Sequence, residues 1–474
     1  MLYQPSDGRI WDPSVIRHDG RYWMFSMYKH AGSPRWDSCW VANSADGVHW
    51  DDVGPVIEDE VTVFKMFVRR CGGRFVMNHG SFTGNKQNRL KFYESTNLTD
   101  WTHMHDTTPD TRWYNGDGRW DHMYMLSKEE DNPNAGYWGY IVATPLPGQP
   151  RSWGLAESAD GLNWTVLPPP EIEWHGLPEP PGLEVGGCAR IDGRYYLIAG
   201  YPGYMGNFGY AMFTFVADAP TGPFRPDVEA FRLCGVSDSG GSAGIHFLAG
   251  MCESPDGLLL TNYVDVSRSG CGGRDDNSVW FLPLRRGVVD ADGHLRMGYW
   301  KGNEAAKGDR VPLCLDEVQR KFPIGPRPTT VPSDATPAGA LAPDPTLQTA
   351  EARVRLCSTD SASRRPLDDS LVAAYLPTTF DFDRGVVIEG TLSVKGDPRN
   401  FRRPVRAGFC IEQDATTDTA VLMDAGHPSW RKTRIGPLHY ENGTPRFEPI
   451  DETSPGCATV TGLDAGQAHT FRLW

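Results

Sequence analysis

Three carboxylates stand out by type and setting. They are Asp12 in Gly8-Arg9-Ile10-Trp11-Asp12-Pro13-Ser14-Val15-Ile16, Asp121 in Gly118-Arg119-Trp120-Asp121, and Glu184 in Leu183-Glu184-Val185-Gly186-Gly187. Each opens an apolar run that reads as a β-strand, and the first run leads through a turn into the aromatic stretch Gly20-Arg21-Tyr22-Trp23-Met24-Phe25. Two carboxyl groups facing one cleft can divide acid–base work. One keeps its proton to donate it, while the other stays ionised to attack or to activate water. A third acid nearby raises the donor's pKa by like-charge repulsion. A lone Asp before Pro is ordinarily a turn or cap residue, so this chemistry depends on the fold bringing the three together.

The elements that must do so are repeated. Ser44-Ala45-Asp46-Gly47-Val48-His49-Trp50 recurs as Ser158-Ala159-Asp160-Gly161-Leu162-Asn163-Trp164. Weaker echoes are Glu94-Ser95-Thr96-Asn97-Leu98-Thr99-Asp100-Trp101 and Ala217-Asp218-Ala219-Pro220-Thr221-Gly222-Pro223-Phe224. Asp-Gly makes a tight turn at little steric cost, and the closing aromatic can pack against a neighbouring unit. A period of roughly 40–60 residues is the mark of a propeller or array, whose sheets bury their faces by stacking radially. A fifth unit fits between Gly240 and Trp300, with Asp256-Gly257 and Asp292-Gly293 as its turns. The expectation is an all-β chain: a five-bladed β-propeller over 1–322, a Pro-rich linker over 323–346 and a C-terminal β-sandwich over 347–474. The linker reading rests on seven prolines between Pro323 and Pro345. Such a composition makes a semi-rigid, extended spacer. The sandwich reading rests on the strand-like runs Ala352–Leu356, Gly385–Val394, Val405–Glu412, Ala420–Met423, Thr433–Leu438 and His469–Leu473.

Composition narrows the function. With 52 Gly, 38 Pro and 53 aromatic residues in 474, the chain suits many short strands joined by turns. A formal charge of -14 argues against nucleic acid or an anionic membrane as partner. The ten cysteines form no C-x-x-C pair, so zinc ribbons and dithiol redox motifs are unsupported and no metal ligands are assigned. The start, Met1-Leu2-Tyr3-Gln4-Pro5-Ser6-Asp7, has neither a basic n-region nor an apolar h-region, and no run approaches a membrane span, so a cytoplasmic location is expected. Gly240-Gly241-Ser242-Ala243-Gly244 matches G-x-S-x-G, but the following Ile245-His246-Phe247-Leu248 reads as a strand where a serine hydrolase needs a helix.

At the level of these motifs the chain resembles the five-bladed propeller furanosidases of glycoside hydrolase families 32 and 43 over about residues 5–320. The stretch Phe380-Asp381-Phe382-Asp383-Arg384-Gly385 resembles the sandwich that follows the propeller in family 32. The resemblance implies that Asp12, Asp121 and Glu184 project from the innermost strands of blades one, three and four. Asp12 would be the nucleophile or base, Asp121 the acid that stabilises the transition state or tunes the general acid, and Glu184 the proton donor, the last followed by Ile191-Asp192-Gly193-Arg194-Tyr195-Tyr196-Leu197. Trp11 stands where family 32 has Asn, His122 follows Asp121 where it has Pro, and Val185 follows Glu184 where it has Cys. Trp11-Asp12-Pro13 is closer to family 43.

The expected reaction is hydrolysis of a terminal fructo- or arabinofuranoside through an oxocarbenium-like state, with retention favoured. Inversion in the manner of family 43 arabinofuranosidases and xylosidases, transglycosylation, and sugar binding without catalysis are the alternatives. A phosphorylase would need a basic site beside the acids, for which Arg9, Arg119 and Lys65 are the candidates. Trp11, Trp120, Trp174, Tyr201 and Tyr204 are candidate sugar platforms, and Arg119, His79, His122 and His246 are candidate polar contacts. His246 opens the fifth blade, where family 43 often places a histidine beside an axial metal ion or water. No cofactor is expected to be required, with room for a structural cation on the axis. The expected partner is an oligosaccharide or glycoside, and oligomerisation is left open.

Overall fold

The fold is known from a computed structural model, which describes residues 2–58, 62–129, 132, 134–204, 210–235, 245–265 and 279–309. Beyond these it describes the segments 319–321, 373–375, 387–393, 405–412, 417–425, 433–441, 444–447 and 468–473. The chain divides into two compact units, Met1–Ala306 with Thr453–Ala458, and Lys307–Glu452 with Thr459–Trp474.

The first unit is built from five antiparallel sheets. The first holds β1 (Arg9–His18), β2 (Arg21–Lys29), β3 (Ser38–Ser44) and β4 (Asp51–Glu58) in that order. The second holds β5 (Met66–Cys71), β6 (Arg74–Thr83), β7 (Lys86–Ser95) and β8 (Thr102–Thr107). The third holds β9 (Trp120–Ser127), β10 (Tyr137–Ala143), β11 (Gly154–Ser158) and β12 (Trp164–Leu167). The fourth runs β13 (Glu184–Ile191), β14 (Arg194–Pro202), β15 (Tyr210–Ala217) and β16 (Arg225–Pro226), with β17 (Arg232–Gly235) also on β15. The fifth contains β18 (Ile245–Ser254), β19 (Gly257–Asp265), β20 (Val279–Phe281), β21 (Arg285–Val289) and β22 (Leu295–Tyr299), with β20 and β21 both paired to β19. The first strands of the sheets close a ring: β1 lies beside β5 and β18, β9 beside β5 and β13, and β13 beside β18. This is the expected five-bladed β-propeller, with β1, β5, β9, β13 and β18 innermost.

The repeated heptad is the turn between the third and fourth strands of a blade. Ser44 Oγ donates to Asp46 Oδ1 and receives the Gly47 N–H at 2.8 Å, and Asp46 Oδ1 receives the N–H groups of Val48 and His49. Ser158, Asp160, Gly161, Leu162 and Asn163 reproduce every one of these bonds. In blade two Ser95 and Asn97 make the same loop, and Leu98 stands at φ +72° where Gly47 and Gly161 stand at +77°. Glycine meets that left-handed backbone without strain, and Leu98 meets it while buried to 1% exposure. Between the blades lie fully buried aromatics, among them Trp120, Trp153, Tyr140, Tyr263 and Phe213, each contributing on the order of 2–3 kcal/mol by leaving water.

From residue 319 on, the second unit is strand wherever it is described, except at residue 387. Val405–Glu412, Thr417–Ala425, Thr433–Glu441 and Thr444–Phe447 form an antiparallel meander, and Ile388–Ser393 pairs with Ala468–Leu473. Gln319–Lys321 pairs with Ala373–Tyr375. These strands coincide with five of the six expected runs; Ala352–Leu356, the 323–346 linker and the Gly240–Gly244 motif lie outside the described residues.

Candidate active site

The inner strands do not pass the axis as regular ladders. In β1 the pairs Trp11↔Met27 and Ser14↔Phe25 leave Asp12 and Pro13 opposite Ser26 alone. Proline has no N–H to give the ladder, and Asp12 takes φ +49°, so the strand bulges at the carboxylate. In β9 the pairs Met123↔Ile141 and Trp120↔Ala143 leave Asp121 and His122 opposite Val142. In β13 the pairs Val185↔Ala199 and Gly187↔Ile198 leave Gly186 over. Asp12 and Asp121 thus sit within β-bulges, which turn their side chains off the regular alternation, and Glu184 lies two residues before one. The glycines after Glu184 have a steric cause. A Cβ on Gly186 would stand 2.1 Å from the Ala249 carbonyl oxygen, because the backbones of β13 and β18 meet there. Gly80 plays the same part for the middle acid, as a Cβ on it would lie 2.7 Å from Asp121 Cβ.

The acids occupy different environments. Asp121 is 1% exposed and saturated with donors. Its Oδ2 accepts from Gln87 Nε2 and Arg119 Nε, each at 2.7 Å, and from Arg119 Nη2 at 2.5 Å, while Oδ1 accepts the His122 backbone N–H at 2.8 Å. Burial would raise its pKa, but the Arg119 guanidinium and His122 outweigh burial and hold it below the ordinary carboxylate value. Arg119 also donates through Nη1 to Glu184 Oε1 and so ties blade three to blade four. The Tyr210 hydroxyl lies beside Glu184. Asp12 Oδ1 accepts from the Tyr263 hydroxyl at 2.6 Å. Burial pushes the Asp12 carboxyl up from its ordinary value; Lys65 and Tyr263 pull it down, and Glu184 adds to the rise.

One cation faces all three acids. Lys65 directly precedes β5, is 4% exposed, and senses Asp12, Glu184 and Asp121. Burial brings its ammonium down to about 8 from an ordinary 10.5, against the pull of those carboxylates. Blades one to four therefore each present a charged group near the start of the inner strand: Asp12, Lys65, Asp121 and Glu184. His246 is second in β18, the matching place in blade five, and its side chain lies outside the described residues.

The remaining candidates separate into two groups. Trp11 is half-buried beside Asp12, edge-on to Trp36 and Tyr263 at 5.9 and 5.3 Å, with Arg9 above its face. Tyr201 is half-buried against Gly182, two residues before Glu184. The others are turned inward, apart from Trp174, which is half-buried. Trp120 is 1% exposed with its ring on Tyr114, so its faces are covered by blade packing and offer a sugar nothing to stack on. Tyr204 donates to the Pro178 carbonyl and packs on Phe213, fastening the loop that leads to Glu184. Trp174 in that loop stands edge-on to Phe215. His79 is fully buried in blade two, its Nδ1 donating to the Gly80 carbonyl and its ring stacked on Tyr93. His122 donates from Nε2 to the Val185 carbonyl at 2.6 Å and so clamps β9 to β13.

Gln87, Tyr210 and Tyr263 had no signal in the sequence, because they reach the acids from second and third strands whose local pattern is ordinary alternation. Among the described residues no group of three or more His, Cys, Asp or Glu side chains has the arrangement of a metal site.

Fold and site together define a five-bladed propeller with three carboxylates and two cations gathered on its axis. No protein-family model and no curated protein matches the chain. Solved structures similar to it include an exo-β-1,3-galactanase from Clostridium thermocellum, at 15% identity and TM-score 0.47 over 61% of this chain and 61% of that one. A GH43 β-xylosidase/α-arabinofuranosidase from a compost microbial metagenome aligns at 14% identity and TM-score 0.45, over 61% of this chain and 94% of that one. An exo-inulinase from Aspergillus awamori aligns at 14% and 0.45, over 62% of this chain and 65% of that one. The matched region thus spans less than two thirds of the galactanase and of the inulinase.

Proposed function

We propose that this protein is a glycoside hydrolase in which Asp12 and Glu184 share the reaction and Asp121 is the fixed third carboxylate. The observation that carries this reading is the convergence of three acids, from the bulged inner strands of blades one, three and four, on one ring with Arg119 and Lys65 between them. Asp121 has its lone pairs occupied, so it serves as a permanent negative charge that orients Arg119 and stabilises the developing oxocarbenium ion. Glu184, oriented by Arg119, donates a proton to the leaving oxygen. Asp12, with Tyr263 on one oxygen, acts on the anomeric carbon. In the finer reading the substrate is a terminal furanoside, Asp12 is the nucleophile, and the covalent glycosyl-enzyme is hydrolysed with retention. That reading follows the sequence resemblance, and Trp11 supplies the nearest half-exposed aromatic face for the sugar.

The test is turnover of a panel of 4-nitrophenyl furanosides and pyranosides. Glu184→Gln is expected to lower kcat/KM on the active one by about 10²–10⁴-fold. The loss should be far smaller on the corresponding glycosyl fluoride, whose leaving group needs no proton. Asp12→Asn should suppress both substrates alike. Turnover of both variants at the wild-type rate would sink the assignment. The first-formed anomer, read by proton NMR, decides retention: if the configuration inverts, Asp12 is a base that activates water.

A further inference from the structure

We propose that Lys65 is a positioning residue of the reaction: its ammonium, at the blade-two station of the axial ring, is the counter-ion that holds Asp12 in the ionised form. The argument begins with the cost of the group. Burying an ammonium is expensive unless it is paired and hydrogen-bonded. A lysine retained for structure alone would be fastened to one carboxylate, as Lys128 is to Glu157 at 2.7 Å. Lys65 is 4% exposed, yet among the described residues its Nζ has no hydrogen-bond partner and makes no ion pair within 4 Å. Lys65 leads into β5, which lies in the ring between β1 and β9, the strands of Asp12 and Asp121, so its charge bears on these acids through space.

Those acids are not equally served. Asp121 has Arg119, Gln87 and the His122 N–H, and Glu184 has Arg119. Asp12 has a neutral phenol from Tyr263 and, as its largest favourable charge, Lys65. The groups that bear on Asp12 from the surrounding elements are Lys65 before β5, Tyr263 on β19, Tyr210 on β15, Glu184 on β13 and His122 on β9. Without Lys65 the burial of Asp12 would favour its protonated form, in which it can neither attack nor accept a proton.

The proposal rests on the glycosidase reading for its catalytic half, but its electrostatic half can be read without turnover. The chain has ten lysines, so [ε-13C]lysine labelling gives a resolvable set of side-chain resonances. The one absent in Lys65→Met is Lys65, and its midpoint should fall near 8, against about 10.4 for ordinary lysines. In Asp12→Asn that midpoint should drop by at least about half a pH unit, because an attracting charge is gone. In activity, Lys65→Met should lower kcat/KM at neutral pH by about a hundredfold. It should also move the acid limb of the pH–rate profile upward and remove the contribution of Lys65 to the alkaline limb near pH 8, while Lys65→Arg restores the position of the acid limb in part. Should Lys65→Met not fold, Lys65→Arg assigns the resonance, and the wild-type and Asp12→Asn titrations decide. A Lys65 midpoint among the ordinary lysines, or one unmoved by Asp12→Asn, overturns the proposal whatever the enzyme hydrolyses. An acid limb unmoved by Lys65→Met overturns it in catalysis. A wild type that cleaves no glycoside overturns the glycosidase reading and the catalytic half that rests on it, leaving the NMR result to stand or fall by itself.

Discussion

At the scale of the residue, Arg119 decides whether two of the three acids can coexist. Its guanidinium spans Asp121 on β9, the strand that Arg119 leads into, and Glu184 on the next blade, a forked geometry that lysine cannot copy. Asp121 is 1% exposed while the Arg119 side chain is 37% exposed, so the charge that would suffer from breaking the pair is the carboxylate. Arg119→Met should therefore destabilise by about 2–3 kcal/mol at pH 7, below the usual range for a fully buried pair because solvent reaches the arginine. The pH dependence follows from the sign of the Asp121 shift. Its folded pKa lies below its unfolded value, so its contribution is present above about pH 4 and is lost as pH falls through the folded pKa. Melting curves from pH 7 to pH 3 should show wild type and Arg119→Met drawing together as acidity rises. A constant gap would mean that Asp121 is not the group Arg119 stabilises.

At the scale of the element, the blades owe their common shape to the Ser-x-Asp-Gly turn, and this was legible because all of its bonds lie within six residues. Asp160 shows the energetics. Burial would raise its pKa, but the N–H groups of Asn163 and Leu162 with the Asn163 and Ser158 side chains hold it at about 2. Asp160→Ala removes an acceptor of four hydrogen bonds at a half-exposed site and should cost about 1–3 kcal/mol. In the wild type that contribution is present above about pH 4 and fades as pH falls towards 2. Urea midpoints at pH 6 and pH 2.5 check both statements, since the gap between the two proteins at the first should shrink to about a third at the second. The acids stood out for a related reason: each opens an apolar strand, and two of them do so near a Pro or Gly, Pro13 directly after Asp12 and Gly186 two places after Glu184. What could not be read was the company they keep. Gln87, Tyr210 and Tyr263 come from strands that sequence places far from the acids, and only ring closure brings them in. The same closure turned Trp120, Tyr204 and His79 inward: an aromatic near an acid in sequence is as well placed to fill the gap between blades as to meet a sugar.

At the scale of the whole molecule, a propeller has one seam, where its first and last blades meet, and here the seam passes through the site. Asp12 on β1 is held by Tyr263 on β19, and Arg9 on β1 pairs with the buried Asp265 at the end of β19 at 3.2 Å. Neither bond lies within a blade, so both depend on the ring staying shut. Tyr3 is the fastening outside it. Its backbone exchanges two hydrogen bonds with Phe281 of β20, at 3.1 and 2.9 Å, while its hydroxyl donates to Asp52 on β4 and receives the Trp40 indole N–H from β3. One residue thereby joins blade five to both outer strands of blade one. Tyr3 is 7% exposed, so Tyr3→Ala deletes a buried ring and leaves the Trp40 donor unmet, at about 3–5 kcal/mol by analogy with other aromatic truncations. Scanning calorimetry should show the first unit's melting temperature lowered on the order of 10 °C. Tyr3→Phe, which keeps the ring and the backbone strap, should fall by about a third of that. Well below its melting point Tyr3→Ala should turn over normally, because Asp12, Tyr263 and Arg9 do not contact Tyr3. Activity should then collapse at the same temperature as the fold, since the seam that opens is the one that holds Asp12. A Tyr3→Ala protein that melted with the wild type would place the weakest contact of the ring between some other pair of blades.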